Sequence, residues 1–432
     1  MLDIKFIREH PDELKEALRK RGVELGVTIE AILRAEGERR AKIKEVDDLR
    51  ARQNELSEAV AHAAGSERER LLQESRDIKS RLKEEEGALH STEASFYALM
   101  QQIPNIPLPE VPEGKGEADN KVVREVGEKP QFDFKPRDYM EIATRLNLVD
   151  TEAAAKVSGS RFGYLKNEAV MLEFVLVQFA LQRLTAKGFL PVVPPVMIRE
   201  EMMRGMGYID SDKDRDERYF LEKDKLFLVG TSEQSVVPMH ANEVLDEKGL
   251  PRRYAAFSTC FRREAGSYGK DTHGILRVHQ FDKVEMVSFA KPEDSKQEHK
   301  FLLTIEEEFM QELKIPYRVV ALCTGDLAHP SAATYDLEAW LPGQNEGRGQ
   351  YRETHSCSNT TDFQARRLDI RYKPSSKLQT PSSRFVHILN GTAFAIGRMI
   401  IAILENYQQE DGSVRVPEAL QIYMGGLREI RR

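Results

Sequence analysis

Cysteine is scarce in this chain of 432 residues, and its three copies, Cys260, Cys323 and Cys357, lie far apart without a CxxC pair. This spacing excludes a disulfide framework and a cysteine-rich zinc site, so we expect reduced thiols in a cytoplasmic protein. Long apolar runs are missing too. The first twenty residues mix acidic and basic side chains, which excludes a secretory signal, and no later window approaches the roughly 20 apolar residues of a membrane span.

An excess of positive charge is also absent, because the net charge is −7 and the isoelectric point is about 5.9. A polyanionic partner must therefore bind a local basic surface, since the overall field of the protein does not attract it. The chain contains 40% apolar and 31% charged residues, which suits a soluble globular protein with some highly charged helix. Its length predicts two or three domains.

Residues 1–100 carry the pattern of two long helices. The apolar residues Val46, Leu49, Leu56 and Val60 recur at steps of three, seven and four residues, which is typical of a coiled-coil seam. The pattern breaks at a glycine and resumes on a returning stretch, at Ile78, Leu82, Leu89, Phe96 and Leu99. This predicts an antiparallel helical hairpin, and a dimerisation coiled coil or a solvated spacer is the alternative interpretation of the same pattern.

The rest of the chain divides into a linker and a mixed domain. Proline, glycine and charged residues dominate 106–136, which separates a helical arm (1–105) from 137–432. The predicted strands are 226–230, 254–263, 275–289, 317–323 and 383–389, and the predicted helices lie near 172–189, 233–247, 293–313 and 392–407. Hairpin spacing around 257–289 favours an antiparallel sheet with helices packed on it, an α+β domain.

The stretch "FSTCFRREAGSYGKDTHGILRVHQFDKVEMVSF" (257–289) is the most informative one. Its second half alternates in polarity and places five side chains at even spacing: Arg277, His279, Phe281, Lys283 and Glu285. If 257–264 and 275–289 are antiparallel partners, Arg262 and Glu264 share one face of the first strand. Arg277, Phe281 and Glu285 then share a face of the second.

Those residues suit a nucleotide beside a small amine. A guanidinium donates two parallel hydrogen bonds to a phosphate, which makes Arg262 a candidate phosphate ligand. Phe281 offers a flat surface to a purine, Glu264 an acceptor for an exocyclic amine, and Glu285 an acceptor for an ammonium or hydroxyl. Taken singly, Phe281 is more often a core residue and Arg262 an ordinary surface cation. Their combination favours the nucleotide site.

Three further segments add ligands of the same kind. "GTSE" places Thr231 and Glu233 two residues apart, on one face of an extended segment. "YRETHSCSN" supplies Glu353 and Ser356, oxygen ligands of the kind that Mg²⁺ prefers. Arg398 lies early in the apolar helix after "LNGT", where an isolated cation is unfavourable, so we expect it to bind an anion such as triphosphate.

Together "GTSE", "FRREAG", "ETHSCSN" and "LNGTAFAIGR", behind a helical arm, closely resemble the bacterial seryl-tRNA synthetases, a branch of the class II aminoacyl-tRNA synthetases. The resemblance covers nearly the whole chain, and "GFLPVVPPVM" is similar to the first motif of the class, which lies at a dimer interface. It implies a homodimer whose antiparallel class II catalytic sheet, of six or seven strands flanked by helices, binds ATP in a bent form. The helical arm is then a tRNA-binding arm.

The resemblance also implies a role for each matching position. In it Arg262 holds the α-phosphate, Glu264 contacts the adenine amine and Phe281 stacks on the ring. The implied ATP ligands are Arg262, Arg263, Glu264, Arg277, Val278, Phe281, Glu353, Thr354, His355, Ser356 and Arg398. The implied L-serine ligands are Thr231, Ser232, Glu233, Glu285, Asn390 and Thr392. The implied catalytic residues are Arg262, Glu285 and Arg398, and the implied Mg²⁺ ligands are Glu353 and Ser356.

The activity implied is ATP-dependent activation of L-serine to seryl-adenylate and transfer to tRNA(Ser), with tRNA(Sec) left open as a second acceptor and no DNA or membrane partner. Three rivals are another class II synthetase, a paralogue that loads an amino acid on a carrier protein, and a coiled-coil interaction protein with an inactive core. The arm argues against the first two. The arginines and carboxylates argue against the third.

The chain departs from the usual family pattern at three places. Gly230 stands where the family has proline, His355 where it has serine, and Ala393-Phe394 where it has Gly-Leu. None of these changes removes a ligand named above. A hairpin of about 35 residues per helix would extend about 50 Å, and the loop "GSYGKDTHG" is expected to meet the acceptor end of the tRNA.

Overall fold

The computed structural model describes residues 1–23, 28–210, 212–265, 273–375 and 383–432, which form two compact units. The arm unit comprises Met1–Arg19 and Val23–Pro104, and the sheet unit comprises Lys20–Gly22 and Asn105–Arg432. The helices are α1 (Ile4–Glu9), α2 (Pro11–Lys20), α3 (Ile29–His62), α4 (Gly65–Gln101), α5 (Tyr139–Arg145), α6 (Thr151–Ser158), α7 (Glu168–Ala186), α8 (Glu200–Gly205), α9 (Asp212–Asp216), α10 (Glu233–Val236), α11 (Ser295–Glu312), α12 (Gln344–Gly347), α13 (Phe363–Leu368), α14 (Ile396–Asn406) and α15 (Glu418–Gln421).

The strands are β1 (Lys121–Val126), β2 (Val149–Asp150), β3 (Tyr164–Leu165), β4 (Leu190–Val192), β5 (Met197–Arg199), β6 (Phe220–Leu221), β7 (Leu226–Leu228), β8 (Val244–Asp246), β9 (Arg252–Phe261), β10 (Gln280–Ala290), β11 (Tyr317–Ala321), β12 (Ala333–Leu341), β13 (Gln350–Asn359), β14 (Arg371–Lys373), β15 (Arg384–Phe385), β16 (His387–Ala395), β17 (Val414–Arg415) and β18 (Glu429–Ile430).

Two long helices dominate the arm unit. Helix α3 has 34 residues and α4 has 37, and their contact buries Val46, Leu49, Leu56, Phe96 and Met100. Ion pairs at 2.5–3.3 Å tie the two helices together on either side of this seam, between Arg39 and Glu93, Lys42 and Glu85, Arg50 and Glu86, and Arg52 and Glu74. The predicted antiparallel hairpin is confirmed. Because two of these pairs are exposed and two are only partly buried, the apolar seam contributes most of the hairpin's stability.

The sheet unit is built on eight strands in the order β1-β11-β12-β13-β16-β10-β9-β4. Every pairing in this sheet is antiparallel except that of β4 with β9, which is parallel. The predicted α+β class with an antiparallel catalytic sheet is confirmed, with one strand more than the upper number expected.

Several predicted segments differ from the observed ones. The predicted linker contains β1, an edge strand whose residues are mostly exposed, so hydrogen bonding to β11 forms it without an apolar pattern. Strands β12 and β13 were not predicted, because many of their residues are polar. The helix expected near 233–247 ends after one turn at Val236, since Pro238 follows within a short 3₁₀ turn.

Helix α7 packs its inner face on the sheet. Leu172, Leu176 and Phe179 are fully buried there. By length and composition α7 could cross a membrane, which corrects the expectation that no window approaches the apolar length of a membrane span. Its inner face nevertheless belongs to the hydrophobic core. Its outer residues Met171 and Phe174 are exposed.

Candidate active site

A cavity of about 580 Å³ opens on the face of β10, β13 and β16, beside the start of α14. Its size is that of a small-molecule site. The ligands expected from the sequence analysis that line it are Thr231, Glu233, Arg262, Glu264, Arg277, Val278, Phe281, Glu285, Glu353, Thr354, Ser356, Asn390, Thr392 and Arg398. The fold therefore brings together expected ligands that lie up to 167 positions apart in the chain.

A β-bulge puts Glu353 and Ser356 on the same side of β13. Residues three apart on a regular strand point to opposite faces. The pairing with β12 runs His355 to Leu337 and then Glu353 to Glu338, so Thr354 is the extra residue. The bulge shifts the alternation by one position, and both oxygen-bearing side chains face the cavity.

A second bulge shapes the neighbouring wall. In the pairing of β10 with β16, Val284 lies opposite Phe394 and Glu285 opposite Thr392, so Ala393 is the extra residue. Asn390 and Thr392 face the cavity before the bulge. Phe394 turns the other way, into the core, with its ring centroid 4.8 Å from that of Phe309.

Arg262 lies just beyond the end of β9 and is held by backbone contacts. Its Nε donates to the carbonyl oxygen of Gly230 at 3.1 Å, and its backbone N–H donates to the carbonyl oxygen of His279 at 2.9 Å. Its guanidinium carbon lies 5.3 Å from the ring centre of Phe281. A cation over an aromatic face is a favourable arrangement.

Glu264 and Arg277 form an ion pair at the cavity wall. Arg277 Nη1 lies 2.7 Å from Glu264 Oε2. The prediction that Arg262 and Glu264 share a strand face was wrong, because β9 ends at Phe261 and Glu264 adopts a left-handed conformation with φ of 53°. Both side chains still reach the cavity through the turn that follows.

Arg398 pairs with Glu353 across the cavity. Its Nη1 lies 3.0 Å from Glu353 Oε1 and donates to the Glu353 carbonyl oxygen at 3.0 Å. Burial alone would raise the pKa of Glu353, but Arg398 and Arg262 outweigh it and hold the pKa below its ordinary value. Glu353 is therefore a carboxylate at neutral pH.

Glu233 is a deeply buried carboxyl in the cavity wall. Gln364 Nε2 donates to it at 2.8 Å and the Tyr208 hydroxyl at 3.1 Å. Burial raises the pKa of Glu233 to about 7, although these two donors favour its ionised form. Sequence reasoning missed Tyr208 and Gln364, because neither lies in a motif with recognisable spacing.

Glu285 lies on β10 with its side chain 3% exposed. Its Oε2 is 2.6 Å from Lys283 Nζ and accepts from the Thr392 hydroxyl at 3.4 Å. Lys283 belongs to the evenly spaced residues noted in the sequence analysis, which assigned it no role as a ligand.

Three of the expected ligands do not line the cavity. The Ser232 hydroxyl is buried and donates to the Ala256 carbonyl at 3.3 Å. Arg263 is exposed with its guanidinium 5.2 Å from the Tyr219 ring centre. His355 is buried against Phe394, with ring centres 6.0 Å apart. The loop expected to meet the tRNA end lies mostly within 266–272, outside the described residues.

The departures from the family pattern leave the cavity wall largely intact. At Gly230 the backbone N–H donates to Gln234 Oε1 at 2.8 Å, a bond that a proline could not make. Phe394 and His355 contact each other behind the wall. His355 and Phe394 thus lie in the core behind the site, whereas Gly230 lines the cavity.

Comparison with known proteins gives the family. Residues 219–407 match the family model of the tRNA synthetase class II core domain (G, H, P, S and T), and residues 1–107 match that of the seryl-tRNA synthetase N-terminal domain. A serine–tRNA ligase of Acidothermus cellulolyticus is 45% identical over 98% of both chains, and one of Dictyoglomus turgidum is 42% identical over 100% of this chain and 99% of its own. The chain belongs to the serine–tRNA ligases.

As a serine–tRNA ligase, this class II enzyme activates L-serine with ATP and transfers it to tRNA(Ser). The fold agrees with that of a solved relative. The crystal structure of seryl-tRNA synthetase from Pyrococcus horikoshii complexed with ATP matches with a TM-score of 0.87 and 43% identity, over 100% of this chain and 99% of that one.

His355 should make stability depend on pH. Burial lowers the pKa of His355 from 6.5 to about 4, so between these values the unfolded chain binds a proton that the folded one does not. The contribution of His355 to the free energy of unfolding should therefore fall by about 2 to 3 kcal/mol as the pH drops from 7 to 4. H355N should reduce that slope. Urea unfolding in EDTA, followed by the fluorescence of the single tryptophan, Trp340, measures it.

H90N is the matched control, because His90 is exposed on α4. It should keep the wild-type slope between pH 7 and 4. An H355N protein with the wild-type slope would contradict the assignment.

Proposed function

We propose that the cavity binds ATP on its arginine side and L-serine on its buried carboxyl side, and catalyses both steps of serylation there. The supporting observation is the chemistry of the cavity lining, which holds the guanidinium groups of Arg262, Arg277 and Arg398 together with the buried carboxyls of Glu233 and Glu285. Guanidinium groups bind a triphosphate and carboxyls bind an ammonium.

In the first step the serine carboxylate attacks the α-phosphorus of ATP and pyrophosphate leaves. Arg262 stabilises the charge that develops on the α-phosphate, while Phe281 stacks on the adenine and Glu264 accepts from its amine. In the second step a hydroxyl of the terminal adenosine of the tRNA attacks the seryl carbonyl carbon, and AMP leaves. The protein acts mainly by positioning and by electrostatic stabilisation.

The serine end of the cavity would select by hydrogen bonding. Glu233 would receive the serine ammonium, and Glu285 with Thr392 the hydroxyl. Alanine has the same ammonium but no hydroxyl, so it would leave Glu285 and Thr392 without the substrate hydrogen bond. The enzyme would reject alanine mainly because of this loss.

We also propose that Glu353 and Ser356 hold Mg²⁺. The donor set fits this ion, because both are oxygen ligands on one wall, and the nearby Asp336 has a buried Oδ1 without a hydrogen-bond partner among the described residues. Mg²⁺ keeps several waters and is usually bound by one or two carboxylates together with substrate phosphates, so a small set of protein ligands suffices. Bound Mg²⁺ would neutralise charge on the phosphates.

Arg262 and Arg263 provide a matched test of the ATP site. R262A should lower serine-dependent pyrophosphate exchange by about 10² to 10³-fold, because a charge-stabilising donor is lost. R263A should stay within about threefold of wild type, because its exposed side chain points elsewhere. Near wild-type exchange by R262A would contradict the assignment.

We propose that the arm binds tRNA through phosphate contacts. Near the turn of the hairpin its basic side chains are exposed, namely Arg68, Arg70, Arg76, Lys79 and Lys83. Such contacts position an RNA without reading its bases. Phosphate contacts along the hairpin suit a tRNA with a long variable arm. We therefore propose tRNA(Sec) as a second acceptor if it has such an arm.

Shortening the hairpin should separate the two steps. The ion pair between Lys42 and Glu85 marks where the helices face each other, so residues 43–84 can be replaced by a short Gly/Ser turn. Pyrophosphate exchange should stay near wild type, whereas transfer to tRNA should fall by orders of magnitude. The salt dependence of tRNA binding should weaken as well.

A control variant keeps the hairpin and changes Arg68, Arg70 and Arg76 to glutamine. It should weaken tRNA binding in the same direction and leave exchange unchanged. A shortened, folded protein that still charges tRNA at the wild-type rate would show that the arm is only a spacer.

We propose a homodimer formed through α7 and β4. Phe174 on α7 is 61% exposed and Val193, just after β4, is 78% exposed. Strand β4 is the last strand in the sheet order, and Pro191 lies within it. An apolar edge of this kind favours burial against a partner.

A charge on this face should prevent association. F174D should be monomeric by light scattering at micromolar concentration, where the wild type is dimeric, because the carboxylate would be buried without a partner. V157D is the control, since Val157 is 71% exposed on α6. A monomeric wild type, or a dimeric F174D protein, would contradict the proposed interface.

A further inference from the structure

Lys283 is a buried cation in the wall of the candidate serine site. Its side chain is 7% exposed, and it lies on β10 between Phe281 and Glu285, all three facing the cavity. Lysine is almost never this deeply buried without a partner. No step described above uses it, so its burial needs a reason.

The contact with Glu285 supplies that reason. Lys283 Nζ lies 2.6 Å from Glu285 Oε2, and the Thr392 hydroxyl donates to the same oxygen at 3.4 Å. Both contacts therefore engage Oε2 and leave Oε1 for a substrate hydroxyl. A short, buried, charge-assisted contact fixes the carboxylate in one orientation.

Several titratable groups surround Glu285. Glu233 lies on α10 and Lys283 on β10 itself. Glu306 of α11 lies on the opposite face of the sheet. Tyr208 and the buried thiols Cys260 and Cys357 also feel its charge. Lys283 is the cation that partly offsets the rise in pKa that burial imposes on both Glu233 and Glu306.

We propose that Lys283 is a positioning residue for serine selection, which holds the Glu285 carboxylate in one orientation so that Oε1 accepts the serine hydroxyl while Glu233 receives the ammonium. This inference rests on the serine-binding role proposed for Glu285. Without Lys283, two buried carboxylates would face each other across the site, and such pairs share a proton. A protonated Glu285 no longer requires a hydroxyl donor, so alanine would be rejected less well.

K283M tests the proposal, because methionine keeps most of the side-chain length and removes the charge. We expect kcat/KM for serine in pyrophosphate exchange to fall about 10²-fold, and the preference for serine over alanine at least about tenfold. The KM for ATP should change less than about threefold, since the phosphates meet the arginines. The acid limb of kcat/KM for serine should move to higher pH. K283R should recover part of each loss.

A double-mutant cycle separates this inference from the proposal beneath it. E285Q should cost much less in the K283M background than in the wild type, because both changes remove the same interaction. An impaired E285Q beside a K283M protein with normal serine selection would overturn the role of Lys283 alone. An unimpaired E285Q would instead overturn the serine-binding role of Glu285.

A purely structural role for Lys283 gives another result. K283M would then weaken ATP and serine alike, leave the pH profile in place and lower the unfolding midpoint followed by Trp340 fluorescence. That outcome would also overturn the proposal.

Discussion

The register of the antiparallel strands decides which side chains reach the cavity, and every other property of the site depends on it. Side chains alternate along a strand, so a regular β13 would send Glu353 and Ser356 to opposite faces. The bulges at Thr354 and Ala393 shift that alternation by one residue within adjacent strands. A slip of one residue in either pairing would move the ligands into the core and core residues into the cavity.

Six charged side chains of the cavity wall form three ion pairs. Arg398 faces Glu353, Arg277 faces Glu264, and Lys283 faces Glu285. An isolated buried charge costs several kcal/mol, so such pairs keep the site foldable. The two arginine pairs differ from the lysine pair in one respect. A triphosphate offers their guanidinium groups more negative charge than one carboxylate does, whereas serine brings an ammonium that cannot replace the carboxylate beside Lys283.

The sequence could predict whatever rests on local pattern. The seam of the hairpin is periodic because each of its two helices buries one face along its length. Helices α7, α11 and α14 could be predicted because apolar residues recur along them at helical spacing. Strands β1, β12 and β13 escaped prediction because their residues are exposed or polar. Tyr208 and Gln364 escaped because they meet Glu233 from 25 and 131 positions away, a contact that only the tertiary fold creates.

The same reasoning applies to Ala393, Phe394 and His355, which the sequence analysis sets apart from the expected family pattern. Ala393 is the extra residue of its bulge, and Phe394 and His355 pack together behind the sheet. Changes there alter packing volume and add a buried imidazole, but they do not alter the register that aims Asn390, Thr392 and Ser356 at the cavity. A core can exchange side chains as long as it preserves strand pairing. An exchange of side chains behind the sheet therefore leaves the ligands in front of it in position, as long as the strand pairing is kept.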